Sequence, residues 1–188
     1  AWYCKAVAGA KTAGDRVLES TALSNLANLL QSQSNRLEEA KQLAQEALAI
    51  TKNIDPAVAK VWKIYSTLAK IAEQQENGAQ ARDYRRQMRE AKASFTGTQY
   101  ELEQYAQLIA KTVVAVVDAD IREKLEAWLE EQPQEVAKTV VAIRQILAGE
   151  RDEDTLCESL NAEESMVILA ILRGLDNPEM LNNLLGEE

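Results

Sequence analysis

Apolar positions recur three and four residues apart along most of this chain, the spacing that gathers side chains on one face of an α-helix. Leu102, Tyr105, Leu108, Ile109, Val113 and Val116 form one such stripe, and Ile121, Leu125, Trp128 and Leu129 form another. The pattern predicts helices at about 16–33, 36–52, 56–76, 79–94, 99–117, 119–131, 133–148, 152–160, 161–174 and 177–185. An all-α fold is therefore expected. The valine-rich stretches Thr112–Val117 and Thr139–Ile143 have strand propensity, yet no turn residues bracket them and both continue the helical stripe. Pro56, Pro133 and Pro178 each follow a polar residue that can cap, so each is expected in the first turn of a helix, where a missing N–H costs nothing. Asn161 to Glu164 has the form of a capping box ahead of the apolar run Met166 to Leu172. Asn177-Pro178-Glu179 opens a last short helix carrying Met180, Leu181, Leu184 and Leu185.

The helices also repeat. Leu26-Ala27 recurs as Leu68-Ala69 at a separation of 42, and Glu39-Ala40 has its counterpart in Gln80-Ala81 at 41. A shift of 41 lays Ala47-Leu48-Ala49 and Lys52 over Ala6-Val7-Ala8 and Lys11, so residues 1–13 read as the closing helix of an earlier unit. Small residues such as Ala27, Ala40, Ala47, Ala69 and Ala81 let paired helices approach closely, while Leu26, Leu30, Leu48, Leu68 and Ile71 fill the seam. One such hairpin cannot bury its own apolar face, so hairpins stack into a solenoid.

The series Asn25-Leu26-Ala27-Asn28-Leu29-Leu30, Arg36-Leu37-Glu38-Glu39-Ala40, Glu46-Ala47-Leu48-Ala49-Ile50 and Asp55-Pro56 resembles a tetratricopeptide repeat (TPR). The resemblance is to the long-period kind found in kinesin light chains and many bacterial repeat proteins. Residues 57–94 follow with Tyr65, Leu68, Ala69, Ala72 and Ala81 in the signature positions, and Tyr3 with Ala6 match a final helix. Arg85 departs from the pattern where an aromatic is usual. The resemblance implies an α-α superhelix over 1–98 and a groove that binds a peptide or protein. Asn25 and Asn28 would face that groove, with Thr67 and Lys70 at the equivalent places one repeat later. Residues 99–188 match no repeat and are expected to form a small acidic helical bundle that caps the solenoid.

Charge divides the chain at the same place. Residues 1–98 hold 14 Lys+Arg against 10 Asp+Glu, a net of +4, and residues 99–188 hold 7 against 20, a net of −13. The acidic total of −9 argues against nucleic acid as a partner. Arg82, Arg85, Arg86, Arg89 and Lys92, three and four apart, concentrate positive charge on one helix face. That face could take an acidic partner, lie solvated beside Asp83 and Glu90, or meet the acidic half, in which case Arg85 or Arg86 contacts an acidic residue from 99–135.

The chain has no histidine, which removes most zinc sites and every nucleophile activated by imidazole. No glycine-rich phosphate loop is present, and the paired carboxylates of the acidic helices lack the spacing of a calcium loop. No catalytic residue, cofactor or metal is expected. Cys4 and Cys157 read as buried reduced thiols in a cytoplasmic protein, and Trp2, Trp62 and Trp128 as core. No apolar run is long enough for a membrane span. Starting at Ala1, the chain is expected to be a fragment of a larger multidomain protein. It would then expose an apolar seam around Tyr3, Val7 and Leu18 that allows self-association. Two functions remain open: a non-catalytic module that binds a protein or peptide, or a structural or regulatory spacer whose groove is filled by its own C-terminal helices.

Overall fold

In a computed structural model the chain is described over residues 2–55 and 59–179. Among these residues every regular element is helical, including both valine-rich stretches. The chain divides into two compact units, Ala1–Thr96 and Gly97–Glu188.

The N-terminal unit contains α1 (Trp2–Ala13), α2 (Arg16–Gln31), α3 (Leu37–Thr51), α4 (Val61–Gln74) and α5 (Gly78–Ala93). Consecutive helices pack on one another, and α2 also packs on α4. Ala27, Ala40, Ala44 and Ala47 are fully buried, and Ala69 and Ala81, the counterparts of Ala27 and Ala40, are buried too. The absence of larger side chains at these points is what lets the helices close up. Local chemistry sets the corners. Gly14, with φ of 68°, turns the chain out of α1, and the Asp15 side chain then accepts from the Leu18 amide to cap α2. Asn77 caps α5 in the same way, through the Gln80 amide. A Gln74 Nε2 to Gln31 Oε1 bond of 2.8 Å pins α4 against α2.

The C-terminal unit contains α6 (Thr98–Glu103), α7 (Ala106–Ala115), α8 (Ala119–Glu130), α9 (Ala137–Leu147), α10 (Glu153–Cys157) and α11 (Ala162–Asp176). Its core gathers Ile109, Val113, Leu125, Leu129, Ile143, Ile146, Ile168 and Ile171 around α11 and α7.

Several boundaries differ from expectation. The helix expected at 99–117 is broken at Gln104–Tyr105, where no glycine or proline stands; α6 and α7 pack separately on α11, and that packing sets the break. The helix expected from Pro56 starts at Val61, with Ala59 and Lys60 outside it; Pro56 itself lies outside the described residues. Pro133 precedes a short 3₁₀ turn, Gln134–Val136, ahead of α9 rather than the first turn of the helix. The segment 180–188, with most of the last expected helix, lies outside the described residues.

Candidate functional site

The residues singled out in the N-terminal unit fall into two groups. Asn25, Asn28 and Lys70 are exposed on α2 and α4, the two helices joined by Gln31 and Gln74. Thr67 is buried, its hydroxyl donating to the Lys63 carbonyl, so it is unable to meet a ligand. The α5 cations do not form the continuous positive face that their spacing suggests. Arg82 and Arg86 are exposed, but Arg86 pairs with Asp83 one turn away at 2.8 Å. Arg85 leans onto Glu73 of α4, and Arg89 is only 4% exposed. Within the N-terminal unit Arg85 and Arg86 therefore already have carboxylate partners, Glu73 and Asp83.

Two of the three tryptophans also depart from expectation. Trp62 is buried against Phe95, but Trp2 is 73% exposed and Trp128 45%. The exposure of Trp128 has a structural cause in the C-terminal unit. Asp118 caps α8 by accepting from the amides of Asp120 and Ile121, and this sharp turn folds α8 back along α7. The main packing of α8 is with α7, with little against α9. Across that gap the helices are tied by Arg144 Nε to Glu126 Oε2 at 2.9 Å.

The result is a cleft of about 860 Å³ bounded by α7, α8, α9 and the start of α11. Leu125, Leu129, Val140, Ile143 and Val167 form its buried floor. Tyr105, Trp128 and Val136 stand partly exposed at its rim, beside the amides of Gln104, Gln107 and Gln132. Gln132 donates to the Trp128 carbonyl at 2.9 Å, fixing the end of α8 beneath the indole. At the α11 edge Asn161 accepts from the Glu163 and Glu164 amides, while Glu164 Oε2 accepts from the Asn161 amide at 2.8 Å, the capping box that the sequence announced.

Charge is placed unevenly around the cleft. A smaller hollow of about 170 Å³ shares Gln104, Tyr105, Val167 and Glu163, so the Glu163 carboxylate belongs to the end where α7 begins. Lys111 lies six residues further along α7, a rise of about 9 Å. Lys124 stands at a matching distance beyond the α7–α8 turn. Both lysines line the cleft, and neither has an ion-pair partner among the described residues. The cleft therefore has an apolar bed, aromatic side chains and a carboxylate at one end, and two ammonium groups at the other.

No protein-family model, curated protein or solved structure matches this chain.

Proposed function

We propose that this chain is a non-catalytic interaction module that holds a partner polypeptide in the α7–α8–α9 cleft, with the N-terminal hairpins serving as a TPR-like solenoid framework. One observation carries the reading: Trp128 and Tyr105, each 45% exposed, stand over a continuous aliphatic floor in a hollow large enough for several side chains. Aromatic area left in water at a concave site is the kind of surface that binding stabilises, at about 25 cal/mol per Å² removed from water. The solenoid framework is supported by the buried alanines that recur at 41 and 42 residues in α2–α3 and α4–α5. Neither Cys4 nor Cys157 forms a disulfide, which suits a reducing cytoplasmic setting.

A second reading has its own observation. Asn25, Asn28 and Lys70 are exposed on adjoining helices, where amides and an ammonium could hold an extended peptide by its backbone.

The test is an amide chemical-shift titration with anilinonaphthalene sulfonate, an apolar anion used as a generic probe. Saturable shifts confined to α7, α8, α9 and the start of α11, and lost in Leu108→Glu, are expected. A spectrum unmoved at millimolar probe overturns the cleft, and shifts confined to α2 and α4 transfer the function to the second face.

A further inference from the structure

We infer that the occupant of the cleft is a short amphipathic helix, docked with its C-terminal end over Lys111 and Lys124 and its N-terminal end toward Glu163, and carrying a carboxylate side chain in its last turn. The inference rests on the proposed binding role of the cleft and adds the chemistry and direction of the partner.

Three features argue for a helix. The hollow opens where α8 and α9 make few close backbone contacts, so its two long walls are helix faces, whose grooves can take the ridges of a third helix. The buried floor of Leu125, Leu129, Val140, Ile143 and Val167 is aliphatic, which suits an i, i+3/i+4, i+7 stripe and offers no row of backbone groups for an extended strand. The charges then fix the direction. A helix presents partial negative charge at its C-terminus, and the two ammonium groups at one end of the cleft answer it, leaving the helix N-terminus toward Glu163.

The lysines are the informative part. The C-terminal half carries only 7 basic residues against 20 acidic ones, and of these Arg144 is committed to Glu126 and Arg151 to the carbonyls of Ile146 and Glu150. Lys111 and Lys124 both line the apolar cleft and have no ion-pair partner among the described residues, so an acidic group on a partner seated there gains a charge contact on binding. The surrounding net charge of −13 opposes a partner that is acidic along its length, so the carboxylate is confined to the end that meets the lysines.

The experiment uses the whole chain and two designed helical peptides of about 14 residues, roughly 21 Å long, with the same leucine stripe and either Glu-Glu or Lys-Lys in the last turn. The Glu-Glu peptide should bind at least about fivefold more tightly at low salt, with the margin shrinking as salt rises. Lys111→Glu with Lys124→Glu should reverse the preference. A nitroxide on the peptide C-terminus should broaden the amides of Lys111 and Lys124, and one on the N-terminus those of Asn161 to Glu164.

Equal binding of the two peptides, or the opposite broadening pattern, overturns the inference while leaving the cleft as a binding site. Anilinonaphthalene sulfonate or dodecanoate binding in the cleft when neither peptide does makes a small apolar acid the occupant and overturns the helix. If removal of residues after Glu179 tightens peptide binding, the chain's own end competes for the cleft and the external partner falls. Absence of binding by every probe is the separate failure of the binding role itself.

Discussion

Lys92 Nζ lies 4.7 Å from the ring centroid of Trp62 and 5.6 Å from that of Phe95, and the lysine is completely buried. In the sequence Lys92 ends a series of basic residues that reads as a solvated face; in the fold its stem runs into the seam and its charge rests on aromatic faces. Trp62→Ala should therefore lower the unfolding free energy by about 3–5 kcal/mol, since it removes a large buried ring and the nearer of the two aromatic faces beside the ammonium. Trp62→Phe keeps a ring beneath the charge and should cost clearly less. Urea unfolding of both variants checks this, and equal losses would remove the cation–ring contact from the account.

Glu76 has φ of 57°, the left-handed conformation that glycine adopts without penalty. It closes α4: its amide donates to the Glu73 carbonyl, and the next amide, of Asn77, donates to the Ala72 carbonyl. A side chain there costs about 1–2 kcal/mol of local strain, part of which glycine returns as extra freedom in the unfolded chain. Glu76→Gly should raise stability by about 0.5–1 kcal/mol, read as a higher urea midpoint with unchanged slope. A loss of stability would show that the Glu76 side chain has a role at this corner.

The starts of α2, α8 and α11 were legible within a residue, at α11 because Asn161 to Glu164 has the form of a capping box. The break at Gln104–Tyr105 was not, because nothing local marks it and the decision lies in how α6 and α7 each meet α11. The cleft was hidden for a related reason. Ile121, Leu125, Trp128 and Leu129 form one stripe, and the stripe looks the same whether the neighbouring helix covers all of it or leaves Trp128 open. The arginines of α5 misled in the opposite direction: spacing put them on one face, but spacing does not reveal that Arg89 is buried or that Arg85 turns to Glu73.

The two thiols should differ in reactivity. Cys4 is exposed on α1 and Cys157 is buried in the core of the C-terminal unit, in contrast to the expectation that both are inside. Under native conditions a disulfide reagent should modify one thiol quickly, with the second appearing only at the rate of unfolding. Cys4→Ser should remove the fast phase alone. Two fast phases would mean that the core around Cys157 opens readily.

Glu150 supplies a pH-dependent contribution at the α9–α10 corner. Its carboxylate accepts from the amides of Asp152 at 2.9 Å and Arg151 at 2.8 Å, and these bonds, the Asp152 amide first, hold it below the ordinary glutamate value of 4.5. A carboxyl group with a depressed native value stabilises fully above its unfolded value, and the effect is lost as pH falls through the native one. The melting temperature of the chain should fall between about pH 5 and pH 3, and Glu150→Gln should fall less over that range. Identical slopes for the two proteins would show that the corner does not depend on the charge.

Leu125 and Trp128 occupy the same face of α8 and line the same cleft, yet Leu125 is 4% exposed and Trp128 is 45% exposed. Leu125 reaches the core shared with Ile143 and Val167, so Leu125→Ala should cost about 2–5 kcal/mol. Trp128 rests on the rim, where half of its surface gains nothing from folding, and Trp128→Ala should cost no more than about 1 kcal/mol. Binding should show the reverse order. The indole removed from the rim takes away the largest apolar area available to a partner, so Trp128→Ala should weaken the Glu-Glu peptide at least about tenfold while the protein stays folded. Paired measurements of urea midpoint and peptide affinity on the two variants decide it. A large stability loss for Trp128→Ala would mean that the ring is a structural wedge between α8 and α9, and unchanged affinity in a folded variant would remove it from the binding surface.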